Sequence, residues 1–133
     1  MMKILIIDDD EQLGRSIARV LERAGYECAI VLDPHEATSR TDVLVTDLVV
    51  IEFQNEWLTQ IGELRERLEN DAGRPVPFMF TVGRPELYRV IAKIATEIDD
   101  WAAKPCDPAE LLVRVETGLR RSRNTLRFRA LAR

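Results

Sequence analysis

The stretch ILIIDDDE, residues 4–11, sets four aliphatic residues directly against four carboxylates. A continuous apolar run is the mark of a strand covered on both faces. Carboxylates gathered at the end of such a strand repel one another, so something must hold them there. That tension orders the reading of the rest of the chain.

Working outward, strand and helix signals alternate. Leu13, Ile17, Val20, Leu21 and Ala24 follow helical spacing and stop at Gly25. ECAIV (27–31) is a short strand, and PHEATSR (34–40) opens a brief helix on Pro34. DVLVTD (42–47) reads as the third strand, followed by a helix over about 56–70. VPFMFT (76–81) predicts a fourth strand and Leu87, Val90, Ile91 and Ile94 a helix over about 85–97. DWAAK (100–104) predicts the fifth strand, and Pro108 opens a last helix carrying Leu111, Leu112, Val115 and Leu119. Five β/α units in succession imply an α/β, flavodoxin-like (βα)5 fold. Its sheet would be doubly wound and parallel, with strand order 2-1-3-4-5.

All strands of such a sheet end on one edge, where ligands bind at the switch in strand order. The predicted ends bring Asp8 and Asp9, Asp47, Thr81 and Lys104 together. Three carboxylates and one ammonium leave about −2, a charge that a hard divalent cation neutralises; oxygen ligands suit Mg2+. Asp10, one residue on, is placed to cap the first helix.

Composition narrows the classes. The chain has 133 residues, 46% hydrophobic and 32% charged, sufficient for one domain with a packed core. No run approaches membrane-spanning length and no secretory leader is read at the start, so a cytoplasmic protein is expected. Cys28 and Cys106 lie far apart, and His35 is the one histidine. A zinc site is therefore not expected, nor a disulfide, and His35 is given no role. Residues 120–133 carry six arginines and no acid. The remaining 13 basic residues face 23 acids, about −10 over residues 1–119.

The motifs ILIIDDD, DVLVTDL, VPFMFT and DDWAAKPCDPAELLVRV resemble the receiver domains of two-component response regulators, over residues 3 to about 121. The resemblance implies that Asp47 is the phosphoacceptor for a sensor histidine kinase, a phosphotransfer protein or acetyl phosphate. It implies Mg2+ held by Asp9, Asp47 and the backbone carbonyl of Val49, with Asp8 acting through a water. Lys104, on a cis Pro105 turn, would reach a phosphoryl oxygen. Thr81 would bond the new group, and Trp101 would turn inward behind it, relaying the change to the face of the fourth helix, fifth strand and fifth helix. Asp99, Asp100 and Arg114 match charges that pair across a phosphorylation-dependent homodimer in the transcription-factor class.

The loop after Asp47 departs from the family, with Ile51 and Asn55 where proline and glycine are usual, and it is oddly apolar. The leading expectation is a phosphorylation-controlled switch. An alternative is a pseudo-receiver adaptor that signals by protein contact without phosphorylation, and a third is a small Mg2+-dependent phosphatase. The domain is expected over 1–121, with 122–133 a basic helical tail or linker toward an effector domain. So short a tail, with Phe128 alone for stacking, argues against direct DNA contact.

Overall fold

A computed structural model describes residues 1–40, 42, 43 and 45–131, with side chains through Thr125. The elements are β1 (Lys3–Ile7), α1 (Glu11–Arg23), β2 (Glu27–Val31), α2 (Pro34–Ser39) and β3 (Leu48–Glu52). They continue with α3 (Leu58–Ala72), β4 (Phe78–Val82), α4 (Tyr88–Ile94), β5 (Asp100–Ala103) and α5 (Pro108–Leu131). Short 3-10 turns, Asn55–Trp57 and Pro85–Leu87, lead into α3 and α4. All pairings are parallel and the strand order is 2-1-3-4-5, the flavodoxin-like arrangement that the alternation predicts.

Side chains alternate across the sheet. Leu5, Ile7, Val49, Ile51, Phe78 and Phe80 pack with Ile61, Leu64 and Leu68 of α3. Ile4, Ile6, Leu48, Val50 and Met79 pack with Ile17 and Leu21 of α1 and with Leu111, Val115 and Leu119 of α5. Both faces are covered, which is why the strands read as unbroken apolar runs.

The largest correction concerns the third strand. It spans Leu48–Glu52 and not residues 42–47. Leu48, Val49, Val50 and Ile51 are at most 1% exposed, whereas Val45 is 75% exposed. A central parallel strand must bury both faces, and only the later run can do so. Asp42 and Val43 instead lie in turns. Ile51, read as a loop residue, is the fourth residue of β3.

Local chemistry sets the helix ends. Asp10 caps α1 by accepting from the Leu13 N–H, as expected, and Asp33 caps α2 through the Glu36 N–H. Gly73 closes α3 at φ 66°. The last helix does run on past Arg121, with the buried Ser122 hydroxyl donating to the Pro75 carbonyl at 3.3 Å. Beyond Thr125 the side chains of the basic tail lie outside the described residues.

Both cysteines are free and half-buried. Burial pushes the Cys28 thiol up to about 11, with Glu22 and Glu27 adding to the rise. The reactive thiolate is then scarce at neutral pH. Alkylation of Cys28 by iodoacetamide at pH 8 should be many-fold slower in the native protein than in urea, followed by peptide mass spectrometry.

Two glycines of one helix should respond oppositely to alanine. Gly62 is exposed inside α3 with nothing within 4 Å of an added Cβ, so Gly62→Ala should stabilise by about 0.5–1 kcal/mol. Gly73 needs its left-handed conformation, so Gly73→Ala should destabilise by about 1–2 kcal/mol. Urea midpoints at constant m-value decide both.

Candidate functional site

The C-terminal edge of the sheet gathers Asp8 and Asp9 after β1, Glu52 at the end of β3, Thr81 in β4 and Lys104 after β5. Carboxylate oxygens of Asp8, Asp9 and Glu52 lie within 4.8 Å of one another. Lys104 ties the group together: its Nζ is 3.0 Å from Asp8 Oδ2 and 2.9 Å from Glu52 Oε1. Its backbone N–H donates to the Val82 carbonyl at 2.9 Å, and the following peptide bond to Pro105 is cis.

Asp8 is 1% exposed and satisfied on both oxygens, accepting from the Asp10 N–H at 2.9 Å and from Lys104. Asp9 is exposed and its Oδ2 accepts from Gln54 Nε2 at 2.8 Å. The same amide reaches Glu52 Oε2 at 3.2 Å, so Gln54 links the two outer carboxylates. Burial works against the Lys104 charge, but the hydrogen bonds to Glu52 and then Asp8 outweigh it and hold the ammonium above the usual lysine range.

Of the residues expected at this edge, Asp8, Asp9, Thr81 and Lys104 come together, and Asp47 does not. Asp47 precedes β3 at the opposite edge, about 16 Å away along a five-residue strand. There its N–H donates to the Lys3 carbonyl and its Oδ2 accepts from the Lys3 N–H, each at 2.8 Å, and Arg74 pairs with Oδ1. It is a structural clasp between β1 and β3. Val49, expected to lend its carbonyl to a metal, is the second residue of β3, in register with Leu5 and away from the edge. Two residues beyond Glu52, the corresponding place belongs to Gln54.

Glu52 is the residue of this edge that sequence reasoning missed. Its signal was the longer apolar run LVVI immediately before it, and the unusual hydrophobicity of what looked like a loop.

Trp101 is 37% exposed on β5, and the inward turn that the resemblance implies belongs to a phosphorylated state. One further expectation changes. Asp99, expected at an intermolecular face, is buried: it accepts from the Phe78 N–H at 2.8 Å and pairs with Arg65 at 2.6 Å. Asp100 and Arg114 pair within the chain at 2.8 Å.

No protein-family model matches the chain. Over 120 residues it is 30% identical to the DNA-binding response regulator MtrA of Mycolicibacterium smegmatis, an alignment covering 90% of this chain and 51% of that protein. It is 27% identical over 121 residues to the phosphate regulon regulatory protein PhoB of Rhizobium meliloti, covering 91% and 53%. A CheY-like receiver domain protein of Methanospirillum hungatei superposes with a TM-score of 0.72 at 20% identity, over 94% of this chain and 98% of that one. NtrX of Brucella abortus gives 0.79 at 19% identity, over 98% and 30%. This chain is a response-regulator receiver domain. It spans about half the length of the curated regulators it matches. Among its described residues no helix is long and apolar enough to cross a membrane.

Replacing the ammonium tests how the receiver edge is held. Lys104→Met leaves Asp8 buried without its cation and should destabilise the fold by about 2 kcal/mol at pH 7. The folded pKa of Lys104 is raised above 10.5, so its contribution is complete below that value and is lost as pH rises through the higher folded value. The gap in urea stability between wild type and Lys104→Met should stay level from pH 7 to 9 and narrow above pH 10.5.

Proposed function

We propose that this receiver acts as an adaptor that signals by protein contact and does not depend on phosphorylation. The observation that carries this reading is the residue ending β3. The family resemblance puts an aspartate phosphoacceptor at the end of the third strand, and here that end is Glu52, ion-paired to Lys104 at 2.9 Å. Asp47, the aspartate first expected to accept, is clasped to Lys3 and Arg74 at the other edge.

Chemistry favours the same conclusion. Phosphoryl transfer depends on positioning and on neutralising equatorial oxygens. One added methylene displaces the nucleophilic oxygen by about 1 Å, a misplacement that costs on the order of a hundredfold in rate. Both Glu52 oxygens are also engaged, one by Lys104 and the other by Gln54. The ammonium that would meet a phosphoryl oxygen is already neutralising carboxylates.

Asp8, Asp9 and Glu52 form a hard-oxygen donor set that fits Mg2+. Such an ion, when bound, would offset the negative charge remaining beyond Lys104. The partners this reading calls for are proteins: a sensor histidine kinase or phosphotransfer protein that docks without transfer, and an effector that reads α4, β5 and α5. A homodimer is not required, since the charges expected to form it are paired internally.

Acetyl phosphate with Mg2+, followed by intact mass spectrometry, tests the proposal. The wild type should gain no phosphoryl group, and Glu52→Asp, which restores the acceptor's length, should gain one. A phosphoryl group on the wild type that disappears in Glu52→Gln or Asp47→Asn would overturn it.

A further inference from the structure

Beside the acidic edge lies a second cavity of about 250 Å3. Its walls are apolar: Leu13 and Ile17 of α1, Leu111 of α5, and Pro105. Two lining side chains carry strong hydrogen-bonding groups, Thr81 and Lys104, beside the weakly polar Cys106 thiol. Thr81 is 3% exposed, and among the described residues its Oγ1 has no hydrogen-bond partner. A buried hydroxyl without a partner is costly, on the order of 1–3 kcal/mol. The Glu52 carboxylate does not relieve it, because that group bonds Lys104 and Gln54 instead.

We propose that this cavity is a binding site for a small, uncharged, largely apolar molecule carrying one hydrogen-bond acceptor. The acceptor is the one function that both groups can meet: an ammonium offers only donors, and a hydroxyl without a partner can donate. Lys104 has three N–H bonds and spends two on Asp8 and Glu52. Absence of charge follows from the lining, since a cation would meet Lys104, and that ammonium is already paired with Asp8 and Glu52, so an anion would find no unpaired charge among apolar walls. Size follows from volume. A 150 Å3 apolar cavity accommodates benzene, so this one holds roughly ten non-hydrogen atoms.

The inference rests on the adaptor reading, because it supplies an input to a receiver whose β3 ends without the usual acceptor. The ligand would engage Thr81, the side chain that the family resemblance assigns to sensing a phosphoryl group, from the α1/α5 side. Occupancy would brace α1 and α5 against the β4 and β5 ends.

Acetophenone, with nine non-hydrogen atoms and one carbonyl, is the probe, and toluene is its acceptor-free counterpart. In a 1H–15N correlation titration of the full chain, millimolar acetophenone should shift the amides of Leu13, Gly83, Cys106 and Leu111 saturably. Thr81→Val, nearly isosteric, should weaken acetophenone roughly fivefold and leave toluene unaffected, as loss of one hydrogen bond requires. Leu13→Trp, at a half-buried helix position, should block both probes by filling the cavity. Absence of saturable shifts at these amides, or equal acetophenone affinity in wild type and Thr81→Val, would overturn the proposal. Neither outcome bears on whether Glu52 accepts a phosphoryl group, which the mass measurement reads separately.

Discussion

One ammonium holds the working edge of this domain. Asp8 and Glu52 arrive from adjacent parallel strands whose C-terminal ends cannot be separated without breaking the sheet. Their charges would repel across the switch point, and Lys104, delivered from two strands away, sits 3.0 and 2.9 Å from them. The 2-1-3-4-5 order makes that delivery possible, since it puts β5 and β1 on the same edge with β3 and β4 between. The Lys104 backbone is bonded to β4 through Val82, so the cation is anchored to the sheet as well as to its partners. Buried ion pairs contribute little net stability but are costly to break. The constraint is therefore on geometry, and it ties the identity of the β3 end to that of the lysine.

The architecture was legible in the sequence because a doubly wound sheet imposes a strong periodicity: continuous runs for strands, 3.6-residue spacing for helices. ILIIDDD and DWAAKP placed Asp8, Asp9 and Lys104 correctly for that reason. The third strand was misplaced because two apolar runs, DVLVTD and LVVIEF, abut without a turn signal between them, and an aspartate ends the first. Taking the first run as the strand ended it five residues early, at Asp47 instead of Glu52. What decides between the runs is burial on both faces, and Thr46, in the earlier one, breaks the apolar pattern that LVVI keeps.

Charges on β5 and α5 show a different limit. Asp99 and Arg114 are surface-type residues in sequence, and spacing alone cannot tell an intermolecular pair from an internal one. Arg65 on α3 resolves Asp99 inward: its guanidinium lies 4.3 Å from the Phe78 ring centroid and pairs with the carboxylate. That contact joins residues 34 apart in sequence, beyond any local pattern. The Asp99 carboxylate also takes the Phe78 N–H, so it belongs to the start of β4 and is unavailable to a partner.

In this structure, among the described residues, no hydrogen bond joins the acidic edge to the Thr81 hydroxyl. Glu52 ends β3 where the family resemblance puts the phosphoacceptor, and it bonds Lys104 and Gln54, not Thr81. Phe53 bonds the Thr81 carbonyl at 2.8 Å, so β3 and β4 are linked through the backbone while the hydroxyl is left unengaged. Trp101 remains partly exposed, in register with Phe80. In this structure the Thr81 hydroxyl is buried without a partner among the described residues, while the Glu52 carboxylate is committed to Lys104 and Gln54.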